Sequence, residues 1–417
     1  MIFSLCVLNI VLLGLILVYQ KLTAPEEVKV ASLVGIMFFF MAVGPSISYL
    51  MGATIYFGIR VDMMEEALTA SALAMLAIIL SSLTYQLFAA NRTPSRYRFM
   101  PTETFCEVTA LVLLATSLLM LMLFAVNINK FSLPKVVKVA SVSFIHYKLV
   151  LLWMAAFTVH FSTKWEIDRP LIISFTIFCL YTLLFSERDF VFIILAVTFI
   201  TMKSRILNYR LALIGFPVAM LLTQLTADRG EIFEGGPVSA FFNQGSNLFV
   251  NSFVIGLVED GEPLQYGYTY LSSMLDSISF GKLRLDEPLA EWLVGAYTGN
   301  PDADAGYGFS LEAEAFLNFG YAGVFILYFL LGLLMVQSSQ RALQGYFLAR
   351  LHVTWTLIFM IYGLRGESLN IMKPYLYCWA IILLARILVP LFSKEPSIVA
   401  PADAQALQNR QLREASW

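Results

Sequence analysis

Three arginines stand where a membrane protein seldom keeps basic residues: Arg188 in S-E-R-D-F, Arg229 in D-R-G-E and Arg365 in L-R-G-E-S. Each lies at the end of an apolar run, and the charge pattern of the alternate loops assigns all three to the outer side of a membrane. A guanidinium stays charged and donates in a fork that matches two phosphate oxygens, so a group of them suits a pyrophosphate. The alternative is local pairing with Glu187 or Asp189, with Glu231 and with Glu367; three separate helix ends would then share one coincidence. Lys130, Lys135 and Lys138 fall on the same side. There they could meet either the head groups of anionic lipid or a substrate phosphate.

A second constellation is G-F-S-L-E-A-E-A-F-L-N-F-G-Y-A-G (308–323). Ser310, Glu314 and Asn318 are spaced by four and share one helix face. A polar face on an otherwise apolar span should line a cavity. An ordinary helix start explains Ser310 as a cap and Glu312 and Glu314 as dipole partners, but it leaves Asn318 unexplained. A carboxylate held there suits a general base, with Glu314 the first candidate and Glu312 the second. Gly320 and Gly323 would permit close helix contact. Asp302 and Asp304 form a D-x-D that reads as a solvated turn; His160 and His352 fall near the inner face, and His146, near the outer end of its span, reads as structural. No H-E-x-x-H, Walker loop, G-x-S-x-G or zinc-ligand spacing is present.

The elements that must hold these residues are membrane helices. The chain has 417 residues, 59% of them hydrophobic and 13% charged, and a mean hydropathy of +0.75. A water-soluble fold cannot hide that much apolar surface. Runs long enough to span, about 17–25 residues, or nearly so, occupy 2–20, 31–50, 67–90, 104–127, 143–162, 170–186, 189–202, 211–227, 313–336, 351–364 and 374–392. The fold class expected is therefore all-α and polytopic, with about eleven transmembrane helices. The first run lacks a basic leader and a cleavage site, so it reads as a retained helix.

Alternate loops carry Lys21 and Lys29; Arg92, Arg96 and Arg98; Lys164 and Arg169; Lys203, Arg205 and Arg210; Arg341 and Arg350; and Lys394, Arg410 and Arg413. Those loops are cytoplasmic by the positive-inside rule, which puts the amino terminus outside and the carboxyl terminus inside. The expected organisation is eight helices over 1–227, an outer loop over 228–312, three helices over 313–392 and a polar cytoplasmic tail over 393–417. The outer loop is too aromatic for disorder and should form amphipathic helices over the bundle. Cys6, Cys106, Cys179 and Cys378 all lie in apolar spans and make no disulfide framework.

This pattern resembles the Wzy-type polymerases of bacterial surface polysaccharides. The residues that carry the likeness are 308–323, G-Y-T-Y-L-S-S-M-L-D-S-I (267–278), S-E-R-D-F (186–190) and L-R-G-E-S (364–368). One departure is Ser279, where the family often has a proline after the isoleucine. The resemblance implies a GT-C-like membrane protein of the bacterial inner membrane, with its outer loop in the periplasm. It implies transfer of a growing glycan from undecaprenyl pyrophosphate to the non-reducing end of another lipid-linked repeat unit, without a metal or other cofactor. In that reading Arg188, Arg229 and Arg365 stabilise the pyrophosphate and Glu314 or Glu312 activates the acceptor hydroxyl. Tyr268, Tyr270, Trp292, Tyr307 and Asn318 then meet sugar hydroxyls. Membrane lipid and a chain-length-regulating co-polymerase are the implied partners, and nucleic acid is not.

Two competing readings belong to other classes. A lipid-linked glycan ligase shares the architecture, but ligases resemble one another in carrying a histidine in the long outer loop, and residues 228–312 contain none. A flippase predicts internal repeats and charges near the membrane midplane, and neither pattern is clear.

Overall fold

Large apolar side chains are exposed along the outside of the molecule, among them Leu118, Met122, Ile172, Ile326, Leu330 and Ile387. In water such a surface would aggregate; in lipid it is the expected exterior. The structure is a computed structural model that describes residues 1–23, 42–53, 55–56, 59–60, 62–89, 101–131, 133, 137–138, 141–185, 193–194, 197, 200, 242, 247–279, 281–300, 308–360 and 366–392. Arg188, Arg229, Arg365, Lys135, Tyr307, Asp302, Asp304, the run 211–227 and the tail from 393 lie outside the described residues.

The described helices are α1 (Ile2–Thr23), α2 (Gly44–Leu50), α3 (Met64–Ala89), α4 (Glu103–Asn127), α5 (Ser143–Lys164), α6 (Arg169–Leu184), α7 (Asn247–Glu259), α8 (Tyr268–Ser279), α9 (Leu289–Thr298), α10 (Leu311–Leu343), α11 (Phe347–Trp355) and α12 (Leu369–Phe392). A hairpin of two-residue strands, β1 (Ile55–Tyr56) and β2 (Ile59–Arg60), precedes α3 with Ile55 opposite Arg60. The described residues are thus essentially all-helical. Among the described residues, four helices are long and apolar enough to cross a membrane: Met64–Phe88, Glu103–Lys130, Leu311–Ala342 and Leu369–Phe392. The sequence led us to expect about eleven spans. Among the described residues, shorter apolar helices occupy Ile2–Ile16, Arg169–Leu184, Asn247–Glu259 and Phe347–Phe359, and the expected run 211–227 lies outside the described residues.

Local signals set the helix starts. Thr102 caps α4 by accepting from Phe105 N at 3.2 Å, and Asp168 caps α6 by accepting from Leu171 N at 3.1 Å, with Pro170 in the first turn. Both use short polar side chains to satisfy amides that the helix leaves open. Lipid supplies no hydrophobic drive between helices, so close packing and interhelical hydrogen bonds hold the bundle. Trp153 on α5 shows both: its indole donates to Ser117 Oγ on α4 at 2.7 Å, and its ring stacks on Phe178 of α6 at 4.0 Å.

Helix directions follow from paired contacts. Ser71 meets Glu312 and Ser81 lies against Gly332, so α3 and α10 run the same way. The starts of α10 and α12 meet where Ser368 contacts Glu314, and Met63 at the start of α3 donates to Ser252 of α7 at 2.8 Å. Three long helices therefore begin on one face, beneath α7, α8 and α9. Of these three, α7 differs from the surface helix expected, since most of its residues are buried against α3 and α10.

Candidate functional site

The site is built where α10 begins. Ser310 caps the helix, its hydroxyl accepting from Ala313 N at 3.4 Å, and residues 311–318 are buried throughout. The helix then breaks. Phe319 and Gly320 leave helical geometry, and Gly320 adopts φ 60°, ψ −151°, a region that essentially only glycine enters. Carbonyls released at the break are not orphaned: Leu317 O accepts from Gln265 N at 3.0 Å and Asn318 O from Tyr266 N at 3.1 Å. Gly323, one turn later, folds back against Ala315 O, where a Cβ would come within 2.2 Å. Gly320 thus makes a turn rather than the helix contact expected of it, while Gly323 makes a close contact as anticipated.

The face of Ser310, Glu314 and Asn318 forms as the spacing predicts, and protein fills the space beside it. Asn318 Oδ1 accepts from Gly267 N at 2.7 Å, and its amide donates to Thr269 Oγ1 at 2.6 Å and to Glu314 O at 2.8 Å. Glu314 Oε1 accepts from Thr269 Oγ1 at 2.8 Å and from Ser368 Oγ at 2.7 Å, while Oε2 accepts from Ser368 N. Three donors on a fully buried carboxylate fix it firmly. Glu312 points nearly the opposite way, as residues two apart on a 3.6-residue helix must. Its Oε1 accepts from Ser71 Oγ at 2.9 Å and its Oε2 has no hydrogen-bond partner among the described residues.

Beside this network lies a cleft of about 240 Å³. Tyr268 of α8 and Trp292 of α9 supply aromatic walls, and Glu262, Asp276, Asp286, Glu287 and Glu367 supply carboxylates. Arg284 is its one basic lining residue among those described. Asp276 is buried and paired with Arg284 at 3.5 Å and with Lys373 of α12 at 3.3 Å. Glu367 is 5% exposed, and its Oε2 accepts from Leu289 N at the start of α9. Burial first, and then the charge of Glu314, push its carboxyl up to about 8. A mixed wall of aromatic faces and carboxylates offers both an apolar surface and hydroxyl acceptors.

The residues expected from the sequence divide accordingly. Tyr268 and Trp292 line the cleft. Glu314 and Asn318 stand one layer behind it, screened by Thr269 and Leu317, which do line it. Tyr270 turns toward Glu314, and burial followed by that charge raises its phenol above the ordinary value. Glu312 faces α3 instead of the cleft. Lys130 closes the short turn after α4. Lys138 is buried, donates to Phe131 O at 3.2 Å and sits 5.6 Å from the Phe131 ring centroid, so it is not the solvent-facing cation expected of a phosphate contact.

Residues given no part by the sequence reading are Thr269, Asp276, Arg284, Ser368 and Lys373, together with Glu367, read there only as a partner for Arg365. Thr269, Asp276, Glu367 and Ser368 sit inside the short motifs quoted above, so the signal was membership of those motifs. Neither curated proteins nor solved structures gave a significant match to the chain. A family model described as O-antigen polysaccharide polymerase Wzy matches residues 1–395, nearly the whole length, and the chain belongs to that family.

Proposed function

We propose that the protein polymerises lipid-linked oligosaccharide repeat units at the outer face of a bacterial inner membrane. A glycan carried on undecaprenyl pyrophosphate passes to the non-reducing end of a second lipid-linked unit. The observation that carries this reading is the cleft: aromatic and carboxylate side chains from the loop helices meet at the starts of α10 and α12, in a chain of this family. Such a lining suits neutral sugar rings and their hydroxyls, and it is a poor host for pyrophosphate. Charge on the leaving group is assigned to Arg188, Arg229 and Arg365, without a metal, as preorganised donors aimed at developing negative charge. Lys130 and Lys135 are proposed as contacts to lipid or substrate phosphate. The amino terminus is outside, the carboxyl terminus is inside, and a chain-length-regulating protein is the partner.

The test is reconstitution in lipid nanodiscs with purified lipid-linked repeat units, with products resolved by electrophoresis. The wild-type protein should give a ladder of two or more repeats. Arg365→Ala and Arg188→Ala should each lower extension by about 10²-fold or more, the scale of losing a charge-stabilising donor. Trp292→Ala should raise the acceptor KM by roughly tenfold, about 1.4 kcal/mol of lost contact. A product that never exceeds one repeat, with the arginine variants behaving as wild type, overturns the proposal. Delivery of a single repeat to a different lipid indicates a ligase.

A further inference from the structure

Glu367 differs from the other buried acids in what its two oxygens meet. Oε2 is held by the Leu289 amide, whereas the described residues give Oε1 no donor, and the side chain forms part of the cleft wall. Glu314 has both oxygens occupied by three donors and lies behind that wall. Glu312 faces Ser71 on the far side of α10. A general base must come within hydrogen-bond reach of the proton it removes, directly or through one water. Asp276, the fourth buried acid, also lines the cleft, but its oxygens face Arg284 at 3.5 Å and Lys373 at 3.3 Å. Among the described residues, Glu367 is the one buried acid lining the cleft with an oxygen that meets neither a hydrogen-bond donor nor an ion-pair partner.

We propose that Glu367 is the catalytic base of the transfer, and that Glu314 is a positioning residue acting through Ser368. The inference rests on the polymerase reading and names the residue that serves its acceptor. In the step, the acceptor hydroxyl oxygen attacks the anomeric carbon of the donor glycan. The bond from that carbon to the pyrophosphate oxygen breaks, and the electron pair leaves with undecaprenyl pyrophosphate. Glu367 Oε1 takes the hydroxyl proton and later releases it to water. Glu314 fixes the Ser368 amide and hydroxyl, and thereby the backbone that carries Glu367.

The charged groups around Glu367 give this a pH signature. Glu314 on α10 and Glu291 on α9 raise its carboxyl, while Arg284 on the turn before α9 lowers it; Glu262, Asp276, Asp286 and Glu287 line the same cleft. The base form accumulates as pH rises through about 8. Extension rate should therefore climb about tenfold per pH unit below that point and level off above it.

The experiment uses the reconstituted full chain and defined lipid-linked repeat units. Glu367→Gln should lose about 10²-fold or more in kcat, the usual reach of a general base, with KM little changed. Glu367→Asp should recover part of the rate. Arg284→Gln, a change at a partly exposed side chain, should move the ascending limb to higher pH, which a merely structural role would not do. If wild type extends the glycan while Glu367→Gln keeps its rate within a few-fold, Glu367 is not the base and the polymerase reading stands. A limb that ignores Arg284→Gln overturns the inference even where Glu367→Gln fails to fold. If wild type makes no ladder, the polymerase reading falls and takes this inference with it.

Discussion

Residues 311–318 and residues 321–343 lie on either side of the break in α10, and they suit different surroundings. Every residue of the first stretch is buried, including Glu312, Glu314 and Asn318. The second stretch contains no acid and turns Ile326 and Leu330 outward, 56% and 57% exposed. Protein surrounds the one and lipid surrounds much of the other. Polar side chains next to an apolar span are stable where donors reach them, as Thr269 and Ser368 reach Glu314, and are costly where lipid would be their neighbour. The break at Phe319 and Gly320 is where the chain passes from one regime to the other.

Four substitutions probe that contrast. Glu314→Ala should have the largest effect, because it strands the hydroxyls of Thr269 and Ser368 and the Ser368 amide. At about 1–3 kcal/mol for each unsatisfied buried donor, the loss should reach roughly 3 kcal/mol or more and dominate a series of thermal melts in detergent. Gly323→Ala comes next. Its methyl would meet Ala315 O at 2.2 Å, which forces the two stretches apart at a cost of about 1–3 kcal/mol; an unchanged Tm would show that the joint is loose. Glu312→Gln should be nearly neutral, or stabilising by about 1 kcal/mol, because an amide keeps the Ser71 bond and removes a half-satisfied buried charge. Ile326→Ala should be smallest, within about 0.5 kcal/mol, since lipid fills the vacated space. A reversal of the order for Glu314→Ala and Ile326→Ala would abolish the distinction between the two stretches.

The sequence made the first stretch readable as a pattern but not as a set of contacts. Spacing by four placed Ser310, Glu314 and Asn318 on one face, and the Ser310 cap is present. The same sequence did not reveal the break, because a glycine in an apolar helix signals close packing as readily as a turn. Glu367 entered the sequence reading only as a possible partner for Arg365, for a related reason. Its neighbour two residues back is Arg365, and adjacency suggested a local pair. The amide it binds belongs to Leu289, 78 residues away, and only the folded loop brings that amide near. Thr269 and Ser368 are small hydroxyl residues without a distinctive pattern, so their convergence on one carboxylate is a tertiary fact. Long apolar runs such as 67–90 and 104–127 emerged as helices close to the expected bounds, since hydropathy alone determines them.

The junction between the loop and the helix break has a consequence for how this region can vary. Gln265 and Tyr266 reach Leu317 and Asn318 through backbone groups, and Gly267 reaches the Asn318 side chain through its amide. Those bonds take no account of the side chains at 265 and 266. They depend instead on how many residues separate α7 from α8. Identity is constrained only where the backbone demands it, at Gly261 and Gly267 with φ 111° and 92°, whereas removing or adding one residue between Glu259 and Tyr268 shifts each amide off its acceptor. In this strap, length and two glycines are the constrained properties.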